Sequence, residues 1–145
     1  MSAARAIVVD ANILIRLVLG SAVRELVLAH VDAVEFFSPA ECFEDARRYL
    51  PDLLQRRGID PAVPLAVLDQ FEAIIHPLEE SVYVAVREEA LARIETRDAG
   101  DWPILAAAMV LNCPIWTEDQ DFFGTGVATW TTDRVRLYLT GSETP

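Results

Sequence analysis

Residues 5–10 read RAIVVD, and this stretch decides the fold, because an unbroken apolar run ends there in a single carboxylate, Asp10. A continuously apolar run is typical of a strand that is buried on both faces of a parallel sheet. A carboxylate beside such a strand is costly to bury unless something compensates its charge. The stretch therefore predicts a strand of a parallel sheet, with Asp10 just beyond its carboxyl end.

Outward from this strand, segments with strand and helix patterns alternate along the chain. Further strands are predicted at residues 34–37, 74–77, 114–117 and 127–130. Helices are predicted at residues 11–19, 21–31, 39–57, 60–73, 79–96, 101–111 and 131–139. This alternation predicts an α/β fold with a mostly parallel central sheet of about four to five strands, flanked by helices. We expect residues 1–140 to form a single domain and residues 141–145 to be a loose C-terminal tail.

The composition excludes several classes of protein. All twelve basic residues are arginines, so the chain lacks both the lysine of a P-loop and the amine of a Schiff-base enzyme. The formal net charge of −11 opposes nonspecific attraction to nucleic acid. The longest apolar run, residues 102–111, is about half of the ~20 residues that cross a bilayer. Because the N-terminus also shows no signal-peptide pattern, we expect a soluble, cytoplasmic protein without a membrane partner.

The cysteines and histidines do not predict a structural zinc site. The chain has two of each, Cys42, Cys113, His30 and His76, and their spacing matches no zinc pattern. The cysteines are interpreted as small buried thiols of a cytosolic protein. Oxygen ligands are therefore the candidates for a metal site.

Three carboxylates lie at the ends of apolar segments. Asp10 and Asp119 each follow a predicted strand, and Asp101 precedes the buried helix of residues 102–111. Open parallel sheets bind ligands beyond the carboxyl ends of their strands, so we expect Asp10 and Asp119 to face that crevice. The dipole at a helix N-terminus favours the ionised form of Asp101. The same position allows Asp101 to be only an N-cap, a role for which Asp98 is the competing candidate.

Spacing leaves alternatives open for the remaining acids. Ser38 begins a helix-start signature, SPAE, in which Ser38 is expected to be the N-cap and Glu41 its capping-box partner. Glu44 has no such local task, so it either points into the crevice or is a solvated surface acid. In the loop sequence DQD, Asp119 is favoured as the primary ligand and Asp121 as an accessory one.

The residue types of this set indicate a particular metal chemistry. Carboxylates without histidine or cysteine select Mg²⁺ or Mn²⁺ over zinc or copper. One such ion, or two that lie ~3.5 to 4 Å apart, would polarise the phosphate of a phosphodiester and activate a water. The predicted reaction is therefore metal-dependent phosphodiester hydrolysis.

Four short motifs, in this order, resemble those of the PIN-domain family of metal-dependent ribonucleases. The motifs are VVDAN at residues 8–12, SP followed by Glu44, Asp101 with ILAAA at residues 104–108, and WTEDQDF at residues 116–122. The resemblance covers residues 7–139 and implies a three-layer PIN-like fold. It also implies an acidic catalytic quartet with three supporting residues: Asp10, Glu44, Asp101 and Asp119, supported by Asn12, Thr117 and Asp121.

The same resemblance implies an activity and partners. Asp10, Asp101 and Asp119 would bind Mg²⁺ or Mn²⁺, and the protein would be an endoribonuclease that cleaves single-stranded RNA. Many prokaryotic PIN domains of this size are VapC-like toxins, which commonly form homodimers and are inhibited by a small antitoxin protein. One competing hypothesis is a catalytically weak PIN-like module that only binds RNA or a protein.

A further competing hypothesis is an aspartyl-phosphate enzyme or a receiver domain that uses Asp10 as the phosphate acceptor. The haloacid-dehalogenase pattern requires an acid two residues after the nucleophile, where this chain has Asn12. Receiver domains require a lysine, which this chain lacks. Both departures disfavour this hypothesis.

A surface for RNA has to come from arginines and aromatic residues. Arg47 and Arg48, with Arg56 and Arg57, lie on the predicted helix that carries Glu44, and they either bind phosphates or form a solvated helix face. Three aromatic residues near the acids either stack on bases or belong to the core: Trp102, Trp116 and Phe122.

Overall fold

The computed structural model describes residues 5–94 and 97–141 of the chain. Within this part, five strands are found: β1 (Arg5–Val9), β2 (Val34–Pro39), β3 (Ile75–Leu78), β4 (Ile115–Trp116) and β5 (Thr129–Trp130). They form one sheet in the order β3-β2-β1-β4-β5, and every neighbouring pair is parallel. The predicted α/β fold with a parallel central sheet is confirmed.

β1 lies in the middle of the sheet because its sequence is apolar on both faces. Ile7 and Val9 are fully buried, and so is Val8, which pairs with Phe37 of β2 on one side and Ile115 of β4 on the other. The chain passes outward from β1 through β2 to β3, and it later adds β4 and β5 on the opposite side of β1. The strand order therefore reverses between β1 and β4, which is where open parallel sheets bind ligands.

Helices cover both faces of the sheet. In the described ranges they are α1 (Ala11–Leu19), α2 (Ala22–Ala29), α3 (Ala40–Arg56), α4 (Ala62–Phe71), α5 (Arg87–Ile94), α6 (Trp102–Leu111) and α7 (Val135–Thr140). Because crossovers between parallel strands are right-handed, α1 to α4 lie on one face and α5 and α6 on the other. The packing agrees, since α1 contacts α3 and α4, and α6 contacts α5, β1 and β2. The result is the three-layer arrangement that was expected.

The buried helix predicted from its apolar sequence is α6. Its residues from Pro103 to Ala108 are all buried, so this helix presents an apolar surface to its neighbours on every side. It ends at Asn112, whose backbone takes the left-handed conformation (φ 52°) that is common after a helix. None of the helices in the described part of the chain is long and apolar enough to cross a membrane.

The prediction of one helix over residues 79–96 is wrong in its first half. Two 3₁₀ turns, Glu80–Val82 and Val84–Val86, precede α5. Between them Tyr83 has a non-helical backbone (φ −124°, ψ −1°), is buried, and places its ring 5.5 Å from that of Trp102. The valines around Tyr83 are β-branched and have low helix propensity, so the burial of this ring determines the local backbone.

The C-terminal predictions have mixed outcomes. The helix predicted at residues 131–139 begins only at Val135, because Thr131 to Arg134 form a turn in which Val135 N donates to the Thr131 carbonyl at 2.8 Å. The loose tail predicted at residues 141–145 lies outside the described residues apart from Gly141. Residues 95 and 96 of the predicted helix at 79–96 lie outside them as well.

Candidate metal centre

Asp10 is placed at the carboxyl end of β1, where it is also the N-cap of α1. Its side chain is 5% exposed and accepts three hydrogen bonds: from Ala11 N to Oδ1 at 2.6 Å, and to Oδ2 from Asn12 Nδ2 at 3.1 Å and Thr117 Oγ1 at 2.7 Å. Burial nevertheless raises its pKa above the ordinary value, and the charge of Asp119 adds to the rise. Hydrogen-bond donors of the protein itself therefore stabilise the Asp10 carboxylate against the cost of its burial.

Thr117 joins Asp10 to the loop that follows β4. Besides donating to Asp10, Thr117 Oγ1 accepts from Asn12 Nδ2 at 3.3 Å and from Asp119 N at 2.9 Å. Asn12 Oδ1 in turn accepts from Glu118 N at 3.3 Å. We call this set, Asp10, Asn12, Thr117 and Asp119, the Asp10 network. The contacts expected of Asn12 and Thr117 as hydrogen-bonding supports of the acids are thus present.

Glu118 stabilises the same loop from its other side, and sequence reasoning missed it. Its Oε1 accepts from Thr132 N at 2.8 Å, and the Thr132 hydroxyl accepts from Trp116 Nε1 at 3.1 Å. These bonds tie the segment after β4 to the segment after β5. The signal in the sequence was weak, because a glutamate between Thr117 and Asp119 looks like one more acid of the motif.

Asp119 and Asp121 lie on one short turn. Asp119 caps the 3₁₀ turn Gln120–Phe122, and its Oδ1 accepts from Asp121 N at 2.9 Å. Phe122 is fully buried and anchors the turn in the core. The Asp119 carboxylate is therefore held against the Asp121 backbone.

Asp101 lies where the 3₁₀ turn Ala99–Asp101 passes into α6, and its side chain makes no capping hydrogen bond. Burial, then the charges of Asp10, Asp98 and Asp119, raise its pKa from 3.8 to about 7, and a side-chain hydrogen bond with Asp119 adds to the rise. Asp101 Oδ2 is buried and has no hydrogen-bond partner among the described residues. Of the two candidate caps, Asp98 is the one that caps, since its Oδ1 accepts from Gly100 N at 3.0 Å.

Three carboxylates converge here. Asp98, Asp101 and Asp121 each offer an oxygen, and these oxygens lie within 4.8 Å of one another. We call these three residues the carboxylate cluster. An all-oxygen set, one member of which also has a buried oxygen without a donor among the described residues, fits a hard divalent cation.

The carboxylate cluster differs from the predicted metal ligands Asp10, Asp101 and Asp119. Asp119 is joined to Asp101 by a side-chain hydrogen bond and Asp10 acts on it through its charge, whereas the oxygens of Asp98 and Asp121 complete the cluster. The sequence pattern predicts Asp98 only as an N-cap. Its spacing of three residues from Asp101, which places both on one side of a helical turn, was the available signal.

Glu44 is not joined to these acids by any contact that the structure describes. The capping box that set Glu41 apart from it is wrong, because Ser38 lies within β2 and donates from Oγ to the Val9 carbonyl at 2.7 Å. The side chain of α3 that lies near Asp10 is the buried thiol of Cys42, whose pKa rises through burial and then through the Asp10 charge. Glu44 is exposed, and its charge makes only a minor contribution to a rise in the pKa of Glu41 that is caused first by burial and then by the Asp45 charge. The catalytic role of Glu44 stays a prediction.

The arginines predicted to bind RNA are engaged within the molecule. Arg47 forms ion pairs with Asp69, at 2.9 Å, and with Glu72. Arg48 pairs with Asp45 at 3.1 Å. Their predicted contact with phosphates is untested, and it would have to compete with these carboxylates.

The three aromatic residues near the acids differ in burial. Trp116 and Phe122 are fully buried and belong to the core. Trp102 is half-buried, with Tyr83 against its ring and the Arg87 guanidinium 5.1 Å from the ring centroid. Base stacking by Trp116 or Phe122 is therefore excluded in this conformation.

Comparison with known proteins adds two findings. A family model described as the PIN domain matches residues 8–140. The fold is similar to a chain in the crystal structure of VapBC2 from Rickettsia felis bound to a DNA fragment from their promoter, with a TM-score of 0.66 and 10% sequence identity over 87% of this chain and 98% of that chain. At this identity the likeness concerns the fold alone. No curated protein matches the chain.

Proposed function

Because this chain belongs to the PIN domain family, we propose that it is a Mg²⁺- or Mn²⁺-dependent endoribonuclease that cleaves single-stranded RNA. The observation that carries the proposal is the carboxylate cluster, whose oxygens lie within 4.8 Å of one another. One of its members, Asp101, also has a buried oxygen, Oδ2, without a hydrogen-bond partner among the described residues. Like charges held this close are unfavourable unless a proton or a cation lies among them. A divalent cation would remove the repulsion.

The residues of the site would divide the work. The carboxylate cluster would hold the cation, which when bound polarises a phosphate and lowers the pKa of a water. Asp10, fixed by its three donors and with a raised pKa, is suited to position the attacking water and to accept its proton. Asp119 contacts both groups, since its backbone N donates to Thr117 Oγ1 and its side chain is hydrogen-bonded to Asp101.

The proposal is tested by titrating the EDTA-treated protein with Mn²⁺ in a calorimeter and by following cleavage of a labelled single-stranded RNA. We expect saturable binding, metal-stimulated cleavage, and loss of both in Asp101→Asn. Asp32→Asn is the matched control, because Asp32 is an exposed acid in the turn before β2, at the opposite end of the sheet. Cleavage that persists in excess EDTA would sink the proposal.

We extend the proposal to the biological setting of a toxin of the VapC kind, cytoplasmic, forming a homodimer, and inhibited by a small antitoxin protein. The support is the PIN domain match together with the shared fold of the Rickettsia felis VapBC2 structure. Expression of the wild type in a bacterial host should arrest growth, and expression of Asp101→Asn should not. Sedimentation of the purified protein should show twice the mass of 16.1 kDa.

A PIN-like module that binds RNA or protein without cleaving it is the second candidate. The observation that favours it is the net charge of −11, together with the pairing of Arg47 and Arg48 to acids. The two candidates differ in one measurement. A binding module retains a labelled RNA in a gel-shift assay and leaves it intact in Mn²⁺, whereas the nuclease cuts it.

A further inference from the structure

Two arginines, Arg93 in α5 and Arg97 beyond its end, reach the loop that carries Asp121. Arg97, three residues beyond the end of α5, donates from Nη1 to the carbonyl oxygens of Asp121, at 2.7 Å, and of Phe123. Arg93, four residues earlier in the sequence, donates from Nη1 to the Thr125 carbonyl at 3.2 Å. We call this pair the arginine clamp. Its donors go to backbone oxygens of residues 121–125, and the single nitrogen Nη1 of Arg97 serves two of them.

The loop is shaped to receive these guanidinium groups. Gly124 and Gly126 both have positive φ, +86° and +88°, which side-chain-bearing residues rarely adopt. A Cβ on Gly124 would lie 3.3 Å from Arg97 Nη2, and a Cβ on Gly126 would lie 3.2 Å from Arg93 Nη1. Each arginine therefore faces a glycine that leaves room for it. The arginine clamp therefore depends on the conformation of this loop and on the absence of side chains at the two glycines.

The clamp connects two parts of the carboxylate cluster. Arg97 directly precedes Asp98, and the Asp98 carbonyl accepts from Asp101 N at 3.1 Å, so Arg97 belongs to the segment that carries two of the three acids. The third acid, Asp121, lies on the loop whose backbone Arg97 holds. A single side chain thus fixes the distance between segments that are 24 residues apart in sequence.

We propose that Arg97 is a positioning residue for the cation: its guanidinium holds the Asp121 backbone so that the Asp121 carboxylate meets those of Asp98 and Asp101. The proposal rests on the proposed metal function. Residues that orient metal ligands from outside contribute about 10- to 100-fold to metal affinity. We expect Arg97 to contribute about tenfold.

Electrostatics and positioning predict opposite changes in cation affinity when Arg97 is removed. A positive charge near a carboxylate cluster repels an incoming cation, so removing that charge should by itself strengthen cation binding. If positioning dominates, removing Arg97 should weaken binding instead. The direction of the change in Mn²⁺ affinity therefore separates a positioning residue from a neighbouring charge.

The experiment compares Mn²⁺ binding by calorimetry in the wild type, Arg97→Gln and Arg97→Lys. Lysine keeps the charge but loses the rigid planar guanidinium that places Nη1 between the two carbonyls. Arg24→Gln is the matched control, because Arg24 Nη1 also donates to a backbone carbonyl, that of Leu17, at 2.7 Å. Gly124→Ala is a second route to the same effect, since it disturbs the loop and leaves Arg97 in place. Thermal melting in EDTA identifies variants that fail to fold.

We expect the dissociation constant for Mn²⁺ to rise about tenfold in both Arg97 variants and in Gly124→Ala, and to stay unchanged in Arg24→Gln. The amides of residues 122–126 should also exchange hydrogen faster in Arg97→Gln. Folded Arg97 variants that bind Mn²⁺ as tightly as the wild type, or more tightly, overturn the positioning role and leave the nuclease proposal standing. A wild type that binds no Mn²⁺ overturns both.

Discussion

Asp10 and Asp101 both lie at the end of an apolar segment, but their charges are compensated in opposite ways. Asp10 is 5% exposed and accepts hydrogen bonds from Ala11, Asn12 and Thr117. Asp101 is half-buried among other acids, and in the described structure its Oδ2 has no donor. Both carboxylate oxygens of Asp10 thus have donors within the protein, whereas Asp101 Oδ2 has none among the described residues. This difference distinguishes an acid that the fold stabilises by itself from one that the proposed cation would stabilise.

The largest expected effect comes from removing the charge of Asp101. Asp101→Asn should lower Mn²⁺ affinity and RNA cleavage by more than about 100-fold, because even residues that only support metal ligands contribute 10- to 100-fold. Calorimetry and an RNA cleavage assay measure the two effects. A variant with Mn²⁺ affinity and cleavage close to those of the wild type would show that the cluster is not the metal site.

The second effect concerns stability in the absence of metal. Here we expect substitution of Asp10 to have a larger effect than substitution of Asp101. Asp10→Ala leaves three donors unsatisfied and removes the N-cap of α1, so we expect a loss of about 2 to 3 kcal/mol in the free energy of unfolding. Asp101→Ala removes a poorly compensated acid and should cause no loss. Urea denaturation of both variants in EDTA measures this. A larger loss in Asp101→Ala than in Asp10→Ala would invalidate the comparison.

The third effect is a pH dependence of cation binding. The pKa of Asp101 is raised from 3.8 to about 7 in the folded, metal-free protein. Its contribution to stability is therefore full below about pH 4 and is lost as the pH rises through about 7. A cation requires the ionised form, so Mn²⁺ affinity should rise about tenfold between pH 6 and pH 8.

Calorimetry at the two pH values checks this dependence. Repeating the titration at pH 6 in buffers of different ionisation enthalpy should show release of a proton on Mn²⁺ binding. Equal affinity at both pH values, with no proton released, would contradict a raised pKa at Asp101.

The smallest effect is expected at the ion pair between Arg48 and Asp45, whose side chains are 74% and 49% exposed. Solvent screens such a pair, so Arg48→Gln should change the free energy of unfolding by less than about 0.5 kcal/mol. Urea denaturation measures this change. The same variant tests the predicted RNA contact, since a phosphate-binding arginine raises the KM for RNA when it is removed and a solvated one does not.

The sequence supports the fold better than the site. The apolar run of residues 6–9 predicts a doubly buried strand, and the structure places it between two parallel neighbours. The apolar surface of α6 likewise predicts burial. The PIN-domain resemblance, which rested on four motifs in order, is confirmed by a match over residues 8–140. These features are local or ordered along the chain, so sequence shows them.

The site depends on tertiary contacts that spacing does not contain. Ser38 has the local sequence pattern of an N-cap. However, β2 continues through it, and its hydroxyl donates a hydrogen bond to the Val9 carbonyl. Asp98 caps a turn, as spacing suggests, but its place in the carboxylate cluster appears only when the loop with Asp121 is folded against it. An acid with a local task can therefore also have a distant one.

The hydrogen bond between Thr117 and Asp10 spans 107 residues, and β4, which brings the two together, is paired directly with β1. Contacts of such separation form only after most of the chain is available. During synthesis, the ribosome therefore releases β1 long before the segment that completes the site. The proposed nuclease site is therefore incomplete for most of the chain's own synthesis, so we expect the growing chain not to cleave the message that encodes it.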